Sequence, residues 1–190
     1  MKRITILVGL FALVAMAAMA NPPMELTVLS NAFKNDGAIP SIYTCEGNQE
    51  SPPISWSALP PQTRSVAIIV EDPDAPGGTF VHLVLYNLPP TERTLPSQSV
   101  KGIGMTTHGA TGLNSNRETG WVPICPPSGM HHYRFTVFGL DTMLKLPARA
   151  TASEVEQAMR GHIVAQGDIV GTYQKGAARR PLPSRTPFVK

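Results

Sequence analysis

The apolar residues of this chain come in short runs that are closed by proline, glycine or asparagine, a pattern typical of a β protein. The run SVAIIVED, Ser65–Asp72, is almost continuously apolar and rich in β-branched residues, so it predicts a central strand that is buried on both faces. The next run, FVHLVLYNL, predicts a second strand. Side chains alternate along a strand, so we expect His82, Val84 and Tyr86 to share one face of it.

A third long strand is predicted for the segment HHYRFTVFGLD, and alternation divides its side chains between two faces. One face carries His131, Tyr133, Phe135 and Val137, and the other carries His132, Arg134 and Thr136. Shorter strands are predicted for MELTVLS, PISWSAL and IVGTYQK, with Trp56 buried in the second of these. The pattern as a whole indicates one mainly antiparallel β domain.

The remaining segments predict one helix and one long loop. In TASEVEQAMRGHIVAQG, Thr151 is the expected N-cap, Glu154 completes a capping box, and Gly167 fits the C′ position. The apolar stripe of this helix is Val155, Ala158, Met159 and Ile163. Lys101–Gly120 is poor in apolar residues and rich in glycine, threonine and asparagine, so it predicts the loop.

The N-terminal residues 1–20 have the layout of a secretory signal peptide. Lys2 and Arg3 precede an uncharged apolar run, and Ala18 and Ala20 offer the small residues that a signal peptidase requires. We therefore expect an exported protein, either periplasmic or fully secreted, with a transmembrane anchor as the alternative. Loss of two of the 16 basic residues with the leader leaves 14 against 13 acidic ones, a balance that gives no case for nucleic-acid binding.

The chain has two cysteines, Cys45 and Cys125. In an exported protein an even pair predicts a disulfide, and two buried free thiols are the alternative. Two cysteines alone do not make a tetrahedral zinc site. We expect no metal and no cofactor.

Two rigid corners carry the residues with chemical potential. DPDAP leads from one strand towards His82, and CPPSGM leads directly to His131. Proline fixes φ and removes N–H donors, so both bends are stiff. If the corners meet, their imidazole, phenol and carboxylate groups suit a phosphate monoester. The converging residues would then be Asp72, Asp74, His82, His131 and Tyr133, although turn-capping aspartates and structural histidines would account for them equally.

The combination of DPDAP with a strand histidine, and of CPPSG with His-x-Tyr, resembles the phosphatidylethanolamine-binding protein family, in its bacterial Raf-kinase-inhibitor-like branch. The matching segments are IPSIYTCEGNQESPPISW, SVAIIVEDPDAPGGTFVHLVLYNLP, CPPSGMHHYRFTVFGLD and GHIVAQGDIVGTY. The resemblance implies an antiparallel β-sandwich of Greek-key topology with one or two peripheral helices. The domain would span residues 21–175, and residues 176–190 would form an appended basic, proline-rich tail.

The resemblance also implies an anion pocket between the two corners. Its wall would consist of Asp72, Pro73, Asp74, His82, Pro126, Gly129, His131 and Tyr133. The sequence departs from the family in two places: His132 stands where arginine is usual, and the segment Gly120–Ile124 lacks the usual glycine-tyrosine and glycine-proline pairs. We expect the second departure to alter the pocket mouth.

Three functions follow from these residues and the resemblance. The first is an exported, non-enzymatic protein that binds a small anion or a phospholipid headgroup. The second is an inhibitor or regulator of a protease or kinase-type partner, as relatives in the family are, and a homodimer is left open. The third is a hydrolase with Asp72 and His131 as acid and base, which the lack of a G-x-S-x-G or H-E-x-x-H motif disfavours.

Overall fold

The computed structural model describes residues 22–97 and 109–176. The predicted signal peptide, the first part of the predicted Lys101–Gly120 loop and the basic tail beyond Gly176 lie outside the described residues. Within the described ranges, no helix has the length and apolarity needed to cross a membrane.

The secondary structure is dominated by strands, as the sequence predicts. The described residues form one 3₁₀ turn, Ser41–Tyr43, and one α-helix, α1, Ala152–Met159. The strands are β1 Met24–Glu25, β2 Val28–Leu29, β3 Gly37–Ala38, β4 Ile54–Trp56, β5 Ser65–Asp72, β6 Phe80–Leu88, β7 Thr94–Leu95, β8 Ala110–Thr111, β9 Met130–Leu140 and β10 Ile163–Gln174. Of the four long strands, β5, β6 and β9 agree closely with the predicted runs. β10 does not: it begins at Ile163, a residue predicted to lie on the helix, and not at Ile169 of the predicted run IVGTYQK.

The strands form two sheets. The larger has the order β1-β10-β9-β5-β6-β8, and β3 also pairs with β10. Its long strands are antiparallel, whereas β1 and β3 join β10 in parallel at the edge. The smaller sheet has the order β2-β4-β7. The predicted mainly antiparallel β fold with a single peripheral α-helix is confirmed.

Strand β5 lies at the centre of the larger sheet and is buried on both faces, which explains its continuous apolar run. Val66, Ile68 and Val70 pack into the core that contains residues of the smaller sheet, such as Trp56. Ala67 and Ile69 pack into a second core with Val155 and Met159 of α1. Because the two faces of β5 serve different cores, its end at Asp72 is held firmly in place.

Strand β6 contradicts the predicted alternation at one position. Val70 pairs with Leu83, and the next residue, Glu71, pairs with Val81, so His82 is the extra residue of a β-bulge. A bulge turns one side chain out of the strict period of two. His82 consequently packs against Tyr133 on the side of the first core, whereas Val84 and Tyr86 belong to the second. The expectation that the three share a face is wrong.

The predicted ends of other elements also need correction. The first predicted strand divides into β1, which joins the larger sheet, and β2, which joins the smaller one. The capping box of Thr151 and Glu154 is present, but α1 ends at Met159 and Gly161 follows its C-cap with φ +78°. Gly167 lies in the middle of β10, where a Cβ atom would collide with the carbonyl oxygen of Leu26, the residue that follows β1. Close packing, and not helix capping, accounts for that glycine.

The described part of the predicted long loop is structured. Strand β8 pairs with β6 through Leu85 and Tyr86. Beyond it, the buried Asn114 side chain accepts hydrogen bonds from the backbone N–H groups of Asn116 and Glu118, and donates to the Gly120 carbonyl. An asparagine side chain thus organises a stretch whose low hydrophobicity predicts only a loop.

Candidate functional site

A cavity of about 240 Å³ lies where β5 ends, β6 begins and β9 begins. Both predicted corners contribute to its wall, as does the chain segment that precedes the second corner. The cavity is lined by Asp72, Ala75, Pro76, Phe80, His82, Val122, Pro123, Cys125, Pro126, Pro127, His131 and Tyr133. The two corners therefore meet, and five of the eight predicted wall residues line one cavity.

Asp72 and His131 form a buried pair across the boundary between β5 and β9. The Nδ1 atom of His131 lies 2.7 Å from Oδ2 of Asp72, and both residues are about 95% buried. The Nε2 atom of His131 lies 3.2 Å from the carbonyl oxygen of Ser128. Because a carbonyl oxygen only accepts, the contact with Ser128 requires a hydrogen on Nε2. The Asp72 carboxylate orients the ring.

His82 is held by the backbone of Val122. Its Nδ1–H group donates to the Val122 carbonyl oxygen at 2.8 Å, and the Val122 N–H donates to the His82 carbonyl at 3.0 Å. Burial lowers the pKa of His82, so the ring is neutral at pH 7. In the neutral ring the hydrogen then resides on Nδ1, and Nε2 presents a lone pair. Nε2 is buried without a hydrogen-bond partner among the described residues.

An aromatic environment surrounds His82. The rings of Phe80, Trp121 and Tyr133 lie 4.9, 5.6 and 5.4 Å from its ring centre. Trp121 also stacks on Phe135 in the first core. Sequence reasoning did not select Phe80, Trp121 or Val122 as site residues. The unusual segment Gly120–Ile124 was the available signal, and Trp121 and Val122 belong to it.

The Tyr133 hydroxyl is a second buried polar atom: it makes no strict hydrogen bond among the described residues, but it lies close enough to the Asp72 carboxylate for a weak side-chain hydrogen bond. Burial raises the pKa of Tyr133 far above its ordinary value, and the nearby charge of Asp72 raises it further. The phenol therefore keeps its proton and remains a donor at physiological pH. Two lining residues thus bring a protonated phenol beside the Asp72 carboxylate and an unpaired acceptor, the Nε2 atom of His82.

Three of the predicted wall residues lie outside the lining. Pro73 and Gly129 are exposed, and Gly129 adopts φ +75°, which gives the second corner its sharp bend. Asp74 turns outwards: its Oδ2 accepts hydrogen bonds from both the backbone N–H and the Nδ1 of His132, at 2.8 and 2.7 Å. These contacts lower the pKa of Asp74. The backbone N–H of Asp74 donates to Oδ1 of Asp72, so Asp74 still supports the wall.

The predicted disulfide between Cys45 and Cys125 is present, with a Cα–Cα distance of 5.4 Å. The Cys45 N–H donates to the Ile124 carbonyl beside it. Because Cys125 lines the cavity, the bond fastens one wall to the segment around Glu46. Glu46 in turn accepts hydrogen bonds from the Tyr173 hydroxyl and the Gly176 N–H, so it also secures the end of β10.

The arrangement can bind a small polar group but offers little for metal binding. Across the described ranges, no three His, Cys, Asp or Glu side chains are grouped as metal ligands. Donors, acceptors and an apolar aromatic wall instead surround a space of the size of a phosphate or small phosphoester.

Sequence comparison assigns the chain to a family. The model of the phosphatidylethanolamine-binding protein family matches residues 29–174. The UPF0098 protein of Methanothermobacter thermautotrophicus is 38% identical over 152 residues, which cover 80% of this chain and 100% of that protein. The UPF0098 protein of Chlamydia trachomatis is 38% identical over 157 residues, which cover 80% of this chain and 99% of that protein.

Solved structures show the same fold. The CT736 protein of Chlamydia trachomatis, described as a phosphatidylethanolamine-binding protein homolog, superposes with a TM-score of 0.72 at 37% identity, over 80% of this chain and 98% of its own. YbcL of Escherichia coli, described as a member of the mammalian PEBP family, superposes with a TM-score of 0.71 at 30% identity, over 78% and 98%. The chain belongs to the phosphatidylethanolamine-binding protein family.

Proposed function

We propose that this protein is an exported, non-enzymatic binding protein whose cavity takes a small phosphate-type anion, either free or as part of a headgroup. The observation that carries the proposal is the meeting of the two corners around one cavity with unused polar atoms. Buried polar groups without partners are costly. A bound phosphate-type group would accept a hydrogen bond from the Tyr133 hydroxyl, and where it retains a proton it would donate one to Nε2 of His82.

His131 and Tyr133 supply the donors for such an anion. The Asp72 carboxylate at 2.7 Å orients the ring of His131, and the raised pKa of Tyr133 keeps its hydroxyl protonated. The contact from His131 to the Ser128 carbonyl is long, at 3.2 Å, so an anionic oxygen is a stronger acceptor for that N–H. The two donors lie on the same face of β9, two residues apart.

The composition of the wall supports binding without catalysis. Among the described residues that line the cavity, the only hydroxyl group is the Tyr133 phenol, whose pKa is raised. The one thiol position, Cys125, is in the disulfide. Asp72 accepts hydrogen bonds from His131 and from the Asp74 N–H, which fix its position in the wall. The lining therefore lacks an activated nucleophile of the kind that covalent hydrolases use.

Two features support export. The N-terminal segment has the layout of a signal peptide, and a disulfide between distant residues is typical of oxidising compartments. Fractionation of the native host, with the mature N-terminus determined by mass spectrometry, tests this part. Cleavage after Ala20 and recovery outside the cytoplasm are expected, and an uncleaved cytoplasmic chain would contradict it.

Titration of the mature chain, residues 21–190, with phosphorylethanolamine tests the binding proposal. Ring signals of the histidines are followed by NMR. Saturable shifts are expected at His82 and His131. His162, which lies on the surface beside Asp141, serves as the internal reference. If neither cavity histidine showed a saturable shift, the proposal that the cavity binds a phosphate-type anion would be contradicted.

A pair of variants provides the matched control. His131→Ala removes a donor from the cavity and is expected to weaken binding by about tenfold. His162→Ala removes a histidine from an exposed ion pair and should leave binding unchanged. Equal affinity in both variants would remove His131 from the site.

Inhibition of a protein partner is the second candidate function. The observation in its favour is Met130, which is 58% exposed at the start of β9, next to the second corner. An exposed methionine beside a rigid bend suits a protein contact. Inhibition of a panel of serine proteases that is abolished in Met130→Ala but retained in His131→Ala would favour this function over small-anion binding.

A further inference from the structure

We infer, resting on the proposed function, that the cavity selects an oxyanion that still carries a proton: a phosphomonoester is preferred over a phosphodiester and over a sulfate ester. The geometry that points to this preference is a hydrogen-bond acceptor, and not a donor, at the one free nitrogen of His82, next to a buried carboxylate. Ligand and site would share one proton in the complex.

The Val122 backbone fixes the acceptor. Its carbonyl oxygen, 2.8 Å from Nδ1 of His82, has only lone pairs, so the ring hydrogen resides there. Nε2 is left with a lone pair and with no partner among the described residues. A ligand must offer a hydrogen to this atom, or the ring must gain a proton from solvent. A fully ionised oxyanion facing a neutral His82 would place one lone pair against another.

The Asp72 carboxylate adds to this preference. It lines the cavity and is 4% exposed, so its charge is poorly screened. Oδ2 accepts from His131, Oδ1 accepts from the Asp74 N–H, and the Tyr133 hydroxyl lies within reach of the same carboxylate. Because each carboxylate oxygen has two lone pairs, Asp72 can still accept one further hydrogen bond. The negative charge disfavours a dianion beside it, whereas a P–O–H group can donate to it.

The groups that face His82 come from two strands. Asp72 on β5 favours the protonated ring, whereas His131 on β9 opposes it. Tyr133 on β9 faces the ring at 5.4 Å and stays a neutral phenol. Phe80, Trp121 and Val122, which complete the surroundings, carry no titratable group. Desolvation is the largest influence on the ring and keeps it neutral.

Phosphomonoesters differ from phosphodiesters and sulfate esters in whether they carry an acidic hydrogen near neutral pH. A phosphomonoester loses its second proton with a pKa of about 6, so the protonated form is available near neutral pH. A phosphodiester headgroup and a sulfate ester have no acidic proton left at that pH. Phosphorylethanolamine and 2-aminoethyl sulfate share shape and ammonium group and form a matched pair. Glycerophosphoethanolamine represents the lipid headgroup without its chains.

Calorimetric titration of the mature chain with these three ligands tests the inference. At neutral pH we expect phosphorylethanolamine to bind about tenfold or more tightly than either of the others. Repetition in buffers of different ionisation enthalpy should show uptake of about one proton per phosphorylethanolamine bound. Its affinity should fall by up to about tenfold per pH unit above neutrality, as the protonated ligand disappears.

Different failures have different meanings. Similar affinities for the three ligands, without proton uptake, would overturn the inference and leave the proposed anion binding standing. Absence of binding by all three would overturn both. In the variant His82→Gln, whose amide can donate, the preference over the sulfate ester should shrink towards equality. His162→Gln should keep the wild-type preference, and loss of the preference in both variants would contradict a role for His82.

Discussion

The Nδ1 atom of His132 lies 2.7 Å from Oδ2 of Asp74, on the outer face of the same corner where His131 pairs with Asp72 at the same distance inside. Two adjacent histidines of β9 thus bind two aspartates of the first corner, one pair on each face of the sheet. The inner pair is buried, whereas the outer side chains are 49% and 42% exposed. Because both contacts join a histidine to an aspartate at the same distance, the two pairs allow the effect of burial on the strength of the contact to be measured.

Replacement of the buried aspartate should destabilise the fold strongly. Asp72→Asn removes the carboxylate that faces His131 in a site shielded from water, and we expect a loss of about 3 kcal/mol of unfolding free energy. The matched variant Asp74→Asn breaks the exposed pair and should cost about 0.5 kcal/mol or less. Urea unfolding of the two variants, with the disulfide intact, provides the measurement. Equal losses would show that burial does not decide the strength of these pairs.

Stability should fall in mild acid because of His82. Its pKa in the folded protein is depressed by burial below the ordinary 6.5, so the unfolded chain takes up the proton first. The unfolding free energy that depends on the neutral His82 ring is fully present above about pH 6.5, and it is lost as the pH falls towards the folded-state pKa of His82. One proton corresponds to a slope of at most about 1.4 kcal/mol per pH unit.

The variant His82→Gln isolates this effect. Unfolding free energies are compared for the wild type and the variant at about pH 7.5 and about pH 5. We expect the wild type to lose more stability than the variant over this interval. An identical loss in both proteins would mean that His82 does not couple folding to protons.

The apolar pattern predicted β5, β6 and β9 well because their burial is set by local sequence. β5 matches the predicted segment Ser65–Asp72, and alternation on β9 correctly separates His131 and Tyr133 from His132. On these strands neighbouring residues along the chain carry the whole signal. The meeting of the two corners is different: the residues alone leave it open, the family resemblance implies it, and the contact between Asp72 and His131 confirms it.

The same reasoning failed where a distant segment decides the local structure. The bulge at His82 depends on how β6 pairs with β5, and no residue type in the sequence of β6 predicts it. The position of Gly167 in β10 depends on the Leu26 backbone, more than a hundred residues away. The outward turn of Asp74 depends on His132, which the period of two places on the outer face. Sequence patterns indicate which face of a strand a side chain occupies, whereas contacts between segments that are remote in sequence determine where that pattern is interrupted.

Removal of the disulfide should destabilise the protein substantially. Cys45 and Cys125 are 80 positions apart, and closing a loop of that length contributes about 4.5 kcal/mol on the chain-entropy model. We expect the double variant Cys45→Ser, Cys125→Ser to lose up to this amount in urea unfolding. Labelling of the unreduced, denatured wild type with a thiol reagent should modify neither cysteine. Modification of both would show that the bond does not form in the isolated protein.

Two glycines should respond differently to alanine. Gly161 has φ +78° with open space around its Cα, so Gly161→Ala should cost about 1 kcal/mol in backbone strain. At Gly167 an added Cβ atom would meet the Leu26 carbonyl oxygen. Leu26 cannot easily move away, because its own N–H donates to the carbonyl oxygen of Gln166. Gly167→Ala must displace β1 and should cost about 2 to 3 kcal/mol. Thermal or urea unfolding gives the comparison, and the opposite order would contradict the packing described for β10.

The acceptor that sets the tautomer of His82 is a peptide carbonyl, and every amino acid at position 122 possesses one. Point substitutions there leave the chemistry of the imidazole in place as long as the chain keeps its course. An insertion or deletion between Gly120 and Pro126 would instead carry the carbonyl away and free the ring to exchange its hydrogen. Loop length, more than side-chain identity, is therefore the variable through which divergence or engineering can retune this site.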